Sequence, residues 1–105
     1  MYTRNVSMKL KVNSAPEFAR TLENVVIPML RKQKGFRDEI TLVAPERNEV
    51  VAISFWDRKE DAESYNREKY PEILKTLSKV VEGTPRVESF EVANSTSHQI
   101  AAKAA

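Results

Sequence analysis

The side chains of this sequence that could do chemistry are mainly aromatic rings and amides rather than nucleophiles. Aromatic rings in a cleft can stack against a planar ligand, and amides can hydrogen-bond to its polar atoms. The same rings also suit the hydrophobic core: their spacing favours core packing for two of them, Phe18 and Tyr70, and leaves both roles open for Trp56 and Tyr65. The candidate pocket residues are therefore Trp56, Tyr65, Tyr70, Phe18, Asn5, Asn24 and Asn66.

The sequence contains few residues for thiol, metal or phosphate-binding chemistry. The chain has no cysteine, so it has neither a thiolate nucleophile nor a thiolate metal site. One histidine, His98, cannot build a metal site, and in a polar tail we expect it to be solvated unless the tail folds over a pocket as a base. Two glycines are too few for a loop that cradles phosphates. The sequence predicts no metal and identifies no catalytic residue.

Composition is that of one globular domain. The chain has 105 residues, of which 41% are hydrophobic and 30% charged, and its formal net charge is only +2. This small, mixed charge argues against a nucleic-acid partner. No stretch is long and apolar enough for a membrane span or a signal peptide, so we expect a cytoplasmic protein with no membrane partner.

The chain is organised around residues 50–56, in which six of seven residues are apolar. Such a run is typical of a strand that is buried on both faces. In the first strand Val6, Met8, Leu10 and Val12 alternate with Asn5, Ser7, Lys9 and Lys11, and the lysines need a carboxylate such as Glu39 or Glu91. The helices can cover one face of a sheet containing these strands. We expect a second copy of the chain to cover the other face.

Helix signals lie between the strands. Ser14 and Glu17 form a capping-box pattern, Asp57 is a second N-cap candidate, and Pro28 predicts a kink in the first helix near residues 26–27. Pro71 splits the second helical region, whose apolar stripe extends to Val81, and we expect the last strand over residues 86–93. The order is strand, helix, strand, strand, helix, strand. It predicts an α+β, ferredoxin-like βαββαβ fold with a four-stranded antiparallel sheet and helices on one face.

Three segments resemble the antibiotic biosynthesis monooxygenase (ABM) domain of the dimeric α/β-barrel superfamily. They are Val26-Ile-Pro-Met-Leu-Arg-Lys-Gln-Lys-Gly35-Phe36, the strand end Ile53-Ser-Phe-Trp56-Asp, and the stretch from Ala62-Glu-Ser-Tyr65 to Tyr70-Pro71. The resemblance covers roughly residues 3–94. We therefore expect an ABM-like domain over residues 1–94 and a C-terminal tail over residues 95–105, either flexible or packed on the partner subunit.

The resemblance implies a homodimer whose two sheets face each other as a dimeric α/β barrel, with a pocket between sheet and helices in each subunit. Some members of the family are quinol or anthrone monooxygenases without metal or flavin. It thus implies a cofactor-independent monooxygenase for a small aromatic or quinol-type substrate, with no cofactor. The alternatives are a non-catalytic module that binds a small apolar ligand and a dimerisation module without an open cavity.

The haem-degrading branch of the same superfamily fits less well. Its members resemble one another in an asparagine on the first strand, a tryptophan on the second helix and a histidine ten residues later. This chain has Asn5 or Ser7 at the first position, Tyr65 at the second and Lys75 at the third. Because a lysine at this position supplies no imidazole as an axial ligand, we do not expect haem degradation.

Overall fold

Residues 1–97 are described by a computed structural model, in which four strands pair into one antiparallel sheet. The strands are β1 (Tyr2–Leu10), β2 (Phe36–Ala44), β3 (Glu49–Trp56) and β4 (Val81–Glu91). Their order across the sheet is β2-β3-β1-β4, so the first and third strands are central. This arrangement confirms the predicted α+β, ferredoxin-like fold. The predictions for His98 and for most of the tail lie outside the described residues.

The helical regions follow β1 and β3. The first consists of α1 (Ala15–Thr21), a π-helical turn over Leu22–Val26, and α2 (Ile27–Arg31). The second consists of α3 (Lys59–Glu68) and α4 (Tyr70–Leu77). Among residues 1–97, no helix is both long and apolar enough to pass through a bilayer.

A proline explains the change of geometry in the first helical region. Pro28 has no N–H to donate to the carbonyl of Asn24, so a regular α-helix cannot continue through this position without a lost bond. The N–H of Ile27 instead donates to the carbonyl of Leu22, five residues earlier, which is the bond of a π-helix. This switch from α-helical to π-helical hydrogen bonding lies where the sequence predicts the kink.

Several predicted element ends are wrong. The predicted start of α1 is correct, since Ser14 is its N-cap, but the Ser14 side chain makes no capping hydrogen bond. Arg58 rather than Asp57 precedes α3, because the Asp57 carboxylate accepts a hydrogen bond from Arg37 instead. The second helical region stops at Leu77, and β4 begins at Val81, five residues before the predicted strand. The apolar run there is buried, but part of it is strand rather than helix.

The two faces of the sheet have different surroundings. On one face Val6, Met8 and Val50 are buried against the helices. Val12 was expected on this face but is exposed, because β1 ends at Leu10. On the other face, which we call the open face, apolar side chains remain partly or largely exposed. They are Ile40, Leu42, Val51, Ile53, Phe55 and Phe90.

Polar residues complete the open face on the side of β1 and β4. Lys9 is exposed and lies opposite Glu49 and Glu82, not Glu39 or Glu91 as the sequence analysis suggested. The side-chain oxygen of Asn5 is buried without a hydrogen-bond partner among residues 1–97. An unpaired buried amide oxygen is unfavourable, so this face has a polar group to satisfy as well as apolar surface to cover.

Gly35, between α2 and β2, provides a test of how the helices are connected to the sheet. Its φ of +79° is left-handed, and a Cβ there would lie 2.7 Å from Cβ of Asp61 on α3. We expect Gly35→Ala to lower the free energy of unfolding by about 3 kcal/mol, because backbone strain and a steric clash combine. Urea denaturation measures this change.

Gly83 is the matched control for this substitution. Its φ of +65° is also left-handed, but nothing lies within 4 Å of the added Cβ. Gly83→Ala should therefore cost only about 1 kcal/mol, the backbone term alone. Equal losses for the two variants would contradict the close packing of Gly35 against Asp61.

Candidate functional site

A partly enclosed cavity of about 40 Å³ lies between the helix-covered face of the sheet and the helices. Its walls are mainly apolar, with a few polar side chains from β1, β2 and β3. Three water molecules would fill this volume, on the basis of about 10–15 Å³ for each. The lining residues are Arg4, Val6, Met8, Phe18, Leu22, Val26, Leu30, Glu39, Ala52, Ser54, Tyr65, Tyr70, Ile73 and Leu77.

Aromatic side chains form a continuous cluster beside this cavity. The ring of Trp56 lies 5.1 Å from that of Tyr65, which lies 6.3 Å from that of Tyr70. Trp56 is fully buried, and its indole Nε1 donates to the hydroxyl of Ser54 at 2.9 Å. Its polar atom is therefore satisfied within the protein, and its ring holds Tyr65 in place from behind rather than lining the cavity.

Arg4 is the charged residue at the centre of the site. It is only 3% exposed, and its guanidinium lies 4.5 Å from the ring centre of Tyr70 and 5.1 Å from that of Tyr65. Nη2 donates to Oδ1 of Asn66 at 2.8 Å. These cation–π contacts and the amide hydrogen bond are favourable, yet all three partners are neutral. Burial consequently lowers the pKa of Arg4.

Glu39 brings a carboxylate to the same cavity from β2. It is half-buried and accepts a hydrogen bond from the Thr41 hydroxyl at 2.6 Å. Burial raises the pKa of Glu39, and the Thr41 hydrogen bond opposes that shift. Among residues 1–97 no ion pair joins Glu39 to Arg4. The cavity thus holds an acid and a cation that do not neutralise each other.

The two cavity tyrosines remain protonated at neutral pH. Burial raises the pKa of Tyr65 to about 12, although Arg4 opposes that shift. Burial also raises the pKa of Tyr70, again against the effect of Arg4. The hydroxyl of Tyr70 is buried without a hydrogen-bond partner among the described residues. Both tyrosines can donate a hydrogen bond, whereas Glu39 is the better proton acceptor near neutral pH.

The predicted pocket residues have different locations. Phe18, Tyr65 and Tyr70 line the cavity, and Trp56 packs behind Tyr65. Asn66 is exposed on α3 and reaches the site through its hydrogen bond to Arg4. The remaining two predicted residues do not line the cavity, since Asn5 is on the opposite face of the sheet and Asn24 is exposed.

Two charged residues that line the cavity, Arg4 and Glu39, are not among the pocket residues predicted from the sequence. Arg4 precedes Val6 by two residues, so the alternation that buries Val6, Met8 and Leu10 also turns Arg4 inward. Glu39 shares a face with Thr41, which lies opposite Ala52 in the neighbouring strand. Strict period-two counting along β1 could have found Arg4. The alternation in β2 did not reveal which of its two faces meets the helices.

Within residues 1–97, no group of three histidine, cysteine, aspartate or glutamate side chains is arranged to hold a metal ion. Lys75, at the position where a histidine would be needed for haem, is exposed on α4. The chemical groups that do meet in the cavity are a carboxylate, a guanidinium and two phenols. Together they can remove a proton and stabilise the anion that results.

Comparison with known proteins gives matches in structure but not in sequence. No protein-family model and no curated protein matches the chain. A protein of unknown function from Nitrosomonas europaea superimposes with a TM-score of 0.76 at 11% identity, covering 90% of this chain and 91% of its own. A candidate antibiotic biosynthesis monooxygenase from Deinococcus radiodurans gives 0.74 at 10% identity, covering 90% and 95%.

A third structure is that of a monooxygenase, ActVA-Orf6 of Streptomyces coelicolor, in complex with the ligand nanaomycin D. It superimposes with a TM-score of 0.72 at 14% identity, covering 85% of this chain and 84% of its own. The chain therefore has the fold of antibiotic biosynthesis monooxygenase structures, as the resemblance in its sequence predicts. At these identities the likeness concerns the fold alone.

No carboxylate among residues 1–97 forms an ion pair with Arg4, which leads to a prediction about stability. We expect Arg4→Met to change the free energy of unfolding by no more than about 1 kcal/mol, because no buried carboxylate loses its partner and the desolvated charge disappears. The exposed Asn66 can hydrogen-bond to water instead. Thermal and urea denaturation measure the change.

Ile73→Ala in the same cavity wall is the control. Ile73 is buried, and its truncation should cost about 3 kcal/mol. If Arg4→Met cost as much as Ile73→Ala, Arg4 would be a structural residue and its buried charge would need no ligand to explain it.

Proposed function

We propose that this protein is a cofactor-independent monooxygenase that acts on a small aromatic or quinol-type substrate. One observation carries the proposal: an aromatic and apolar cavity contains a carboxylate with a raised pKa and a buried cation that is not paired with it. The shared fold with a monooxygenase of known ligand supports the same function.

In the proposed reaction Glu39 is the general base. It removes a proton from the substrate, and the substrate anion gives one electron to dioxygen, after which the two radicals combine into a peroxide at carbon. Protonated Glu39 returns its proton to the peroxide. Loss of water then leaves a carbonyl, so one oxygen atom enters the product and the other leaves as water. The protein supplies a base and an apolar environment, both of which favour this sequence of steps.

The cavity must widen before it can hold a substrate. Its volume of about 40 Å³ is small, given that cavities of about 150 Å³ bind benzene. Leu22 and Val26 of the π-helical turn form part of the wall. π-Helical turns are frequent at functional sites, and in this one the N–H of Ile27 bonds five residues back instead of four. We propose that it is the part of the wall that shifts when a substrate enters.

The small volume also favours a second candidate, a non-catalytic module that binds a small ligand. A cavity of this size would suit a ligand of few atoms. The two functions differ in what happens to the ligand: the module returns it unchanged in the presence of oxygen, whereas the monooxygenase converts it. A dimerisation module is the third possibility, with no turnover and no ligand.

We further propose that the protein acts as a homodimer through the open face. This face presents exposed apolar side chains from β2 and β4, together with half-buried ones from β3. Covering them with an equivalent sheet would bury this apolar surface. The resulting pair of sheets is the dimeric α/β barrel expected from the family resemblance.

Oxygen consumption tests the proposed reaction. With a panel of hydroquinones and anthrones, we expect substrate-dependent oxygen uptake with one carbonyl product per dioxygen. Glu39→Gln should lower kcat by about 100-fold or more, because a positioned general base contributes about that much. For the unchanged protein kcat/KM should fall as pH drops through the raised pKa of Glu39, since the base works only when deprotonated.

Glu46→Gln is a suitable control for this variant, because Glu46 is an exposed carboxylate in the connection between β2 and β3, outside the cavity. It should leave kcat unchanged. Absence of oxygen uptake across the panel, with the ligands recovered unaltered after binding, would instead support the binding module.

Two adjacent residues of β2 test the homodimer. Leu42 and Val43 are 51% and 53% exposed, but only Leu42 is on the open face. We expect Leu42→Asp to convert the dimer to a monomer in sedimentation analysis at micromolar concentration, because two carboxylates would enter the interface. Val43→Asp should leave the dimer intact. A stable monomer for the unchanged protein would contradict the proposed assembly.

A further inference from the structure

The environment of Arg4 calls for an anion, and no residue among 1–97 forms an ion pair with it. Buried arginines are normally paired, because removing a guanidinium from water is unfavourable unless an opposite charge compensates it. The neighbours of Arg4 across β3 and β4 are serines, Ser54 and Ser89. Its remaining polar contacts come from an amide and from phenol groups. None of these groups carries a negative charge at neutral pH.

Glu39 lines the same cavity, yet it does not fill this role. Its hydrogen bond comes from Thr41, and no ion pair links it to Arg4 within residues 1–97. Burial raises the pKa of Glu39 without a compensating effect from the guanidinium. The carboxylate and the guanidinium thus belong to the same cavity but not to one pair, so a ligand between them could contact both.

Tyr70 adds a hydrogen-bond donor on the side of Arg4. The residue is 9% exposed, and its ring lies under the guanidinium at 4.5 Å. Its hydroxyl is buried without a partner among the described residues, although buried hydroxyls are normally hydrogen-bonded. A phenol O–H beside a guanidinium forms the kind of paired donors that stabilise an anionic oxygen.

We infer that the cavity binds its ligand as an oxyanion, a phenolate or enolate whose charged oxygen is held by Arg4 and the Tyr70 hydroxyl. This inference rests on the proposed function and names the substrate class for the same site. The hydroxyl proton of the ligand passes to Glu39 as the O–H bond breaks, and the electron pair stays on the ligand oxygen. Arg4 and Tyr70 then hold the form of the substrate that reacts with dioxygen.

The lining of the cavity favours a phenolate or enolate over inorganic anions. Within residues 1–97 Arg4 is the one cation that lines the cavity, and most of the lining is apolar, including Val6, Phe18 and Ile73. A phosphate or sulfate would bring up to two localised charges to a single guanidinium and would bury them against hydrocarbon. A phenolate carries one charge spread over a planar ring, which suits both the cation and the aromatic walls.

The test uses 4-nitrophenol, whose phenol and phenolate forms differ in absorbance, and the neutral analogue nitrobenzene. Both are titrated into the protein in oxygen-free buffer, so binding is measured without turnover. We expect the pKa of bound 4-nitrophenol to fall by about one unit, which corresponds to about tenfold tighter binding of the phenolate than of the phenol.

Substitutions of Arg4 and Tyr70 test whether these two donors cause the preference for the phenolate. Arg4→Met should abolish it and weaken phenolate binding about tenfold or more, and Tyr70→Phe should weaken phenolate binding about threefold to tenfold. Nitrobenzene affinity should change less than about twofold in both variants, which separates loss of the anion site from loss of the cavity. Arg4→Lys should give an intermediate result, because a lysine keeps the charge but loses the planar donors.

The ionisable side chains around the cavity are Arg4 on β1, Glu39 on β2, Tyr65 on α3 and Tyr70 on α4. The absorbance titration is therefore repeated with Glu39→Gln, so that titration of this carboxylate is not mistaken for that of the probe. Circular dichroism and the urea midpoint establish that each variant is folded before its binding is compared.

Three results would overturn the inference: no binding of the phenolate, equal binding of phenolate and nitrobenzene, or unchanged phenolate affinity in Arg4→Met. The outcome is separate from that of the oxygen-uptake experiment. Anion binding without oxygen uptake would keep the oxyanion site and refute the monooxygenase. Oxygen uptake without a preference for the anion would do the reverse.

Discussion

The structure depends on an antiparallel sheet whose own helices cover only one of its two faces. A sheet can bury both faces only if something packs on each, and the helical regions after β1 and β3 lie on the same side. That side holds the core and the cavity. The other keeps its apolar residues of β2, β3 and β4 at least partly exposed, and it is the face through which we propose that two copies pair.

The same constraint explains how charged groups come to lie inside a small domain. Residues of β1 alternate between the two faces, so the position two residues before Val6 must point toward the helices whatever its chemistry. Here that position is Arg4. Its burial among neutral groups is unfavourable for folding alone, and such exceptions to ordinary burial are expected where a protein binds something.

Much of the fold followed from local patterns. The order of elements, the interruption near Pro28 and the position of Pro71 in the first turn of α4 are set by alternation and by proline geometry, which act over a few residues. The ends of the helices and strands were less predictable. Asp57 has the sequence signature of an N-cap, but a competing partner, Arg37, lies twenty residues away in sequence and becomes its neighbour only after β2 and β3 pair.

Residue type and short-range spacing were enough to predict the class of fold, the aromatic residues near the cavity and a sheet with apolar residues on both faces. Which polar groups share the site depends on contacts between distant parts of the chain. Glu39 and Arg4 come from strands on either side of β3, and although alternation along β1 turns Arg4 inward, no local pattern brings Glu39 to the same cavity. Their chemistry arises from long-range strand pairing, which brings an acid and a cation into one desolvated space.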